Sequence, residues 1–246
     1  MSIIQYLNDE GYRIDGRKNN ECRLIKISLG NGNELIHVDG FSFFEIGNTK
    51  LFAYIQGPNE YKRPDEKCLV KCNVFLSPFN ILEKKRKKSK DNVTREISSY
   101  IRNICNHIIL LDLYKNSEIN IFLYIIERDG GLKAAAVNTC ILALIDAGIA
   151  IKYFISASSV LYLQNNILVD GNQFEVNSGS PELTLAIDMS SNKIVLLEFD
   201  AEVPIDIFQS MLKTCAQACI HVGNIMKLSI KENAIKLLSL NSILNT

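Results

Sequence analysis

A chain of 246 residues, 47% of them apolar, can bury one large core or two small ones. Its 27 basic and 27 acidic residues cancel, which excludes recruitment of nucleic acid by net charge and leaves only local patches for that role. No apolar run is long enough to span a bilayer, and "MSIIQYLNDEGYR" has none of the parts of a secretory signal, so a soluble intracellular protein with no membrane partner is expected.

The first strand is expected in "ECRLIKISLG", residues 21–30, where apolar and polar residues alternate. "GFSFFEIGNTKLFAYIQGP" predicts two strands around a Gly47-Asn48 hairpin, closing at Gly57-Pro58. "CLVKCNVFLSPF" predicts a strand ended by Pro78, and "EKKRKKSKDN" a charged loop. Ile97, Ile101, Ile104 and Ile108 then recur at helical spacing. "SEINIFLYIIE" returns to strand. A helix follows from about Lys133 to Ala147, with Gly148 as its stop. That helix is apolar on nearly every side and rich in alanine, so it should be buried close against a sheet.

The second half repeats the plan. Strands are predicted in "FISASSVLYL", "NILVD", "ELTLAIDMS" and "KIVLLEFD", then an amphipathic helix from Pro204 through about Lys231. Strands followed by helices, twice, predict an α+β fold of two pseudo-repeated β-rich halves, each with packed helices. The halves are placed at 1–150 and 151–246, with the joint near Ile149 to Phe154. No low-complexity linker separates them, so one shared core is expected.

Seven cysteines, an odd number, suit reduced thiols better than a disulfide framework. Cys68 and Cys72 fall in a predicted strand. Cys215 and Cys219 share a helical face, from which His221 points away. Neither group has the spacing of a zinc site, and no metal is expected.

Three passages, in order, carry a resemblance. The first is "GYRIDGRKNNECR", with Arg13, Asp15, Gly16, Arg17, Glu21 and Arg23 in the pattern RxDGRxxxExR. The second is "GNTKLFAYIQGP", and the third "DGGLKAAAVNTCILALIDAGI". On these the chain resembles the RNase PH family over about residues 8 to 230. The "YRIDGR" start and the "KIVLLEFDA" strand look less like bacterial RNase PH than like a eukaryotic RNA exosome core subunit, the counterpart of the catalytic subunit of the archaeal exosome. The resemblance implies an RNase PH-like fold (ribosomal protein S5 domain 2-like) with two βαβ-containing halves. It also implies a six-membered ring of RNase PH-like subunits, RNA-binding cap subunits, an associated hydrolytic nuclease, and single-stranded RNA threaded through the ring. Residence in nucleus, nucleolus and cytoplasm goes with that assembly.

Active members of the family grip inorganic phosphate with an arginine in GGxR and assist phosphorolysis with an aspartate in a DxP-like segment. Here Gly130 and Gly131 are present, but Lys133 stands at the arginine position. Lysine binds phosphate as a point charge and lacks the planar fork. The turn reads either as a phosphate site at a helix N-terminus or as a strand-to-helix turn ending in a solvated lysine. The family aspartate falls on Glu182 and its proline on Thr184. Glutamate moves the carboxylate by one methylene, and misplacement by about 1 Å costs on the order of a hundredfold in rate. Asp170 and Glu175 are candidates for a replacement carboxylate. Of the further phosphate-gripping arginine pair, only Arg95 is offered. A degenerate site with no catalytic residue is expected, and no cofactor; inorganic phosphate enters only if the site still works.

The basic run Lys84, Lys85, Arg86, Lys87, Lys88 and Lys90 can be a solvated loop, an import tag or an arm that tracks RNA phosphates. The resemblance favours the arm, with Lys62 and Arg63 as a second contact. No aromatics interleave with these charges, so base stacking is not expected there. Two functions follow: a non-catalytic RNA-channel subunit, or an active phosphate-dependent 3′→5′ exoribonuclease releasing nucleoside diphosphates.

Overall fold

The computed structural model describes residues 6–8, 11–30, 38–60, 68–77 and 87–244. The first sheet has the order β1 (Ile25–Leu29), β2 (Gly40–Ile46), β3 (Thr49–Glu60), β5 (Ser117–Glu127), β4 (Leu69–Leu76). β2 and β3 form the hairpin expected around Gly47 and Asn48, with Gly47 left-handed at φ +57. β3 runs past its expected end at Gly57-Pro58 to Glu60. Its register against β5 slips between Gln56 and Asn59, where Pro58 has no N–H to give the ladder. β4 pairs parallel to β5, and the helix between them, α1 (Lys87–Ile108), is the crossover a parallel pair requires.

Alternation sorts this sheet into two faces. Phe44, Leu51, Ile55, Ile121 and Leu123 point inward and are fully buried. On the other face Phe41, Phe52, Tyr54, Phe122, Tyr124 and Phe75 form a ladder of rings with centroids 4.7 to 6.1 Å apart.

The second sheet has the order β7 (Asn166–Val169), β6 (Ile155–Leu163), β8 (Glu182–Asp188), β9 (Ile194–Phe199), antiparallel throughout. A parallel neighbouring pair of the β4–β5 kind is therefore confined to the first sheet. β7 and β8 do run in the same direction, on either side of β6, and the single turn α3 (Gln173–Val176) lies between them in the chain. β6 and β8 are buried along almost their whole length, because α4 (Ile205–Leu244) packs on them from one side and α2 (Leu132–Asp146) from the other. That is why they read as near-continuous apolar and small residues.

α2 also packs on β2 and β3, so it lies between the two sheets. Every residue from Ala134 to Leu144 is buried, as the alanine-rich pattern predicts. Polar groups fasten it to both sides. Ser42 of β2 donates to the Thr139 carbonyl at 2.7 Å. Asn138 exchanges two hydrogen bonds with the backbone of Ala157, at 2.9 and 2.8 Å, on a part of β6 that β7 does not reach. One hydrophobic cluster runs from Leu51 and Ile121 through α2 to Ile155, Ala186, Val222 and Met226.

Two helix boundaries move as well. α1 begins at Lys87, so Lys87, Lys88 and Lys90 belong to its first turns and not to a loop. No glycine or proline intervenes before Val93 to stop the helix there. α4 continues from the expected end near Lys231 to Leu244, again with no breaker in the way. Lys84, Lys85, Arg86, Lys62, Arg63 and Pro78 lie outside the described residues.

Candidate functional site

Between β5 and α2 the chain turns through Arg128, Asp129, Gly130 and Gly131. Both glycines are left-handed, at φ +80 and +59. A side chain on Gly130 would meet the Gly171 carbonyl oxygen at 2.2 Å. The turn is thus pressed against residues 170–172 of the second half, which already explains the need for glycine.

The RxDGRxxxExR motif holds the two segments together. Arg23 binds Asp170 through two bonds, Nε to Oδ2 at 2.8 Å and Nη2 to Oδ1 at 2.7 Å, and its backbone N–H donates to Oδ2 at 2.9 Å. The same guanidinium donates to the carbonyls of Asp129 and Gly130. Arg13, 1% exposed, donates to the Val169 carbonyl at 2.6 Å and lies 3.6 Å from Glu175. Glu175 also closes a capping box with Asn172 at the start of α3. Asp170 and Glu175, expected as spare carboxylates for chemistry, are therefore buried counterions of Arg23 and Arg13. Paired and desolvated, they do not line the cleft.

That cleft, roughly 490 Å³, opens over the first turn of α2, where the two halves meet. Gly130, Gly131, Lys133, Glu182 and Thr184 all line it, so the structure gathers these expected positions. Lys133 is half-buried and paired: its Nζ sits 2.6 Å from Glu96 of α1 and 2.5 Å from Glu198 of β9. Burial alone would lower its pKa, but the hydrogen bonds to Glu198 and Glu96 prevail and raise it. Glu182, at the first position of β8, has its pKa raised by burial and by the Glu198 charge, with Lys133 opposing. Among the described residues, the charged side chains on the lining are four carboxylates (Glu96, Glu182, Glu198, Asp200) and two cations (Arg128, Lys133).

Arg95 is elsewhere. It faces the edge of β4, across α1 from the cleft, with Ser98, Ser99 and Arg102. Sequence reasoning missed Glu96, Glu198 and Arg128. Helical spacing held a signal for the first, since Val93, Glu96 and Ile97 share the α1 face that lines the cleft. Among the other candidates, Cys215 and Cys219 are buried, their thiols donating to the carbonyls of Ser158 and Leu185 at 3.4 and 3.3 Å.

The raised Glu182 pKa makes a prediction with a definite sign. A carboxyl whose folded pKa lies above its unfolded value is neutral in both states at low pH. It destabilises the fold progressively as pH rises through the unfolded value, near 4.3. Glu182→Gln should therefore melt higher than wild type at pH 7, with the difference vanishing at pH 4 and below. Equal melting temperatures at pH 7 would place the carboxylate in water.

Fold and site together define a two-sheet α+β protein whose cleft lies at the N-terminus of the helix shared by both sheets. Residues 21–150 match the family described as 3′ exoribonuclease family, domain 1 (RNase PH). Exosome complex component RRP41 of Mus musculus is 34% identical over 239 residues, 95% of this chain and 96% of that protein. Among solved structures, rice (Oryza sativa) Rrp46 is similar with a TM-score of 0.74 at 20% identity, covering 87% of this chain and 98% of that one. An archaeal exosome core is similar with a TM-score of 0.72 at 17% identity, covering 89% and 92%. The chain belongs to the RNase PH family of 3′ exoribonucleases.

Proposed function

We propose that this chain is a ring subunit of an RNA exosome core, one that guides single-stranded RNA and performs no phosphorolysis. The whole-length likeness to an exosome complex component supports the assembly. The observation that carries the loss of chemistry is the grip of Glu96 and Glu198 on Lys133. Two carboxylates already take the place that a phosphate would need beside that cation. The described lining, with four carboxylates and two cations, repels a phosphate dianion. Its partners are then other RNase PH-like subunits in a six-membered ring, cap subunits that bind RNA, and a separate hydrolytic nuclease that degrades what the ring delivers. The basic run from Lys84 to Lys90 supplies a sequence-independent attraction for RNA phosphates.

One pair of observations favours the second reading, an active phosphorolytic exoribonuclease. Arg128 brings a guanidinium to the same cleft as Glu182, whose raised pKa suits a general acid. The test is a labelled single-stranded RNA, with the chain assembled with its RNase PH-like neighbours and inorganic phosphate present or absent. Intact RNA in both, bound with an affinity that falls as salt rises and falls again when the basic run is neutralised, is the expected result. Nucleoside diphosphates released only with phosphate would establish the enzyme instead.

A further inference from the structure

A second groove, about 370 Å³, follows the edge of the first sheet. β4 ends that sheet among the described residues, and α1 flanks it. On the α1 bank Arg95 and Arg102 stand seven residues apart, about 10 Å along one face of the helix. Both are exposed, and neither has a carboxylate partner among the described residues. Lysines on the neighbouring strands differ, since Lys50 and Lys71 are each paired across the sheet with a glutamate. On the opposite bank are Asn73 and Phe75.

Phe75 is the last ring of the aromatic ladder. One side of it stacks on Tyr124, with centroids 4.7 Å apart and planes 22° from parallel. With no further strand beside β4 among the described residues, no described ring continues the ladder, and the side chain is 43% exposed. Phe75 is thus the ladder's end at the β4 edge, in ring contact with Tyr124 alone among the described residues.

We propose that this groove is a binding site for single-stranded RNA, its phosphates on Arg95 and Arg102 and one base stacked on Phe75. The site is separate from the cleft at α2 and rests on the RNA-guiding reading above. Guanidiniums bind phosphate through two bonds, and an aromatic face accepts any base. Addition of a protein strand to the β4 edge fits less well. The Cys72 carbonyl on that edge already accepts a hydrogen bond from Ser98 Oγ at 2.6 Å, which interrupts the ladder such a strand would build. Basic and aromatic residues that do not interleave in the sequence are thus brought together by the fold.

The experiment measures binding of a fluorescein-labelled 12-nucleotide oligo(A) by anisotropy, with the full chain alone and assembled with its ring neighbours. Phe75→Leu should weaken binding about fivefold or more without altering the salt dependence, and Phe75→Tyr should restore it. Arg95→Gln with Arg102→Gln should weaken binding and lower the slope of log affinity against log salt by about 1.4, two phosphates at about 0.7 each. Since all three side chains are exposed, the variants should fold as wild type does. Unchanged binding in these variants, with a loss on neutralising Lys84 to Lys90, would overturn the groove and leave the RNA-guiding reading intact. No binding by the wild-type assembly would overturn both. Capture of a ten-residue oligo-glutamate that depends on the arginines, is indifferent to Phe75 and has no RNA counterpart would give the groove to a protein strand.

Discussion

Asp170→Asn should destabilise the fold by about 3–5 kcal/mol, roughly 10 °C in Tm, although residue 170 lies outside the cleft. Asparagine tolerates the left-handed backbone at this position, φ +50, so the substitution changes charge and leaves the turn alone. What it removes is the counterion of Arg23. That guanidinium has a side-chain exposure of 7% and cannot shed its proton. Its two bonds to the carboxylate, and the backbone N–H that shares Oδ2, are replaced by a single neutral acceptor. The loss reaches further, because Arg13 and Arg17 both donate to the Asp170 carbonyl, at 3.4 and 3.0 Å, and depend on that segment being held. Thermal melts followed by circular dichroism would measure it. A shift of only a degree or two would mean that water enters the network and screens it.

Gly130→Ala should cost about 3 kcal/mol or more. A left-handed backbone charges an L-residue about 1–2 kcal/mol, and forcing atoms into a filled space adds about 1–3. The Cβ would lie 2.2 Å from the Gly171 oxygen and 2.8 Å from the Asn172 carbonyl carbon, both backbone atoms that cannot swing aside. Gly148, just past α2, provides the comparison. It is left-handed too, at φ +69, but open space surrounds its missing side chain. Gly148→Ala should therefore show the backbone penalty alone, about 1 kcal/mol. Equal losses at the two positions in denaturant titrations would remove the clash, and with it the argument that the glycine turn exists to seat residues 170–172.

Local signals carried much of this fold. The run from Ser117 to Glu127, rich in isoleucine and aromatics, is β5 to the residue, and the alanines after Lys133 mark the buried helix. Ends were harder. Nothing in "KKSKDN" distinguishes a charged loop from a helix start, because lysine is a good helix former and the apolar period begins only later. At the site, glycines, lysine and Glu182 were legible as positions, while their circumstances were not. Lys133 read as a phosphate grip or a solvated lysine, because its partner Glu198 is 65 residues away in the chain. Asp170 and Glu175 read as free because Arg23 and Arg13, their partners, precede them by about 150 residues. Arg95 carried the right charge for phosphate and the wrong side of its helix. Pairings at that range leave no periodicity behind, so only the folded chain displays them.

The helix between the sheets has one more implication. Since α2 gives one flank to β2 and β3 and another to β6, neither sheet keeps a private interior. A fragment ending after α2 would carry a bare apolar flank, and its complement would lack the floor beneath β6. Heat or denaturant should thus meet a single cooperative unit, in which the halves can be told apart by eye but cannot melt one at a time.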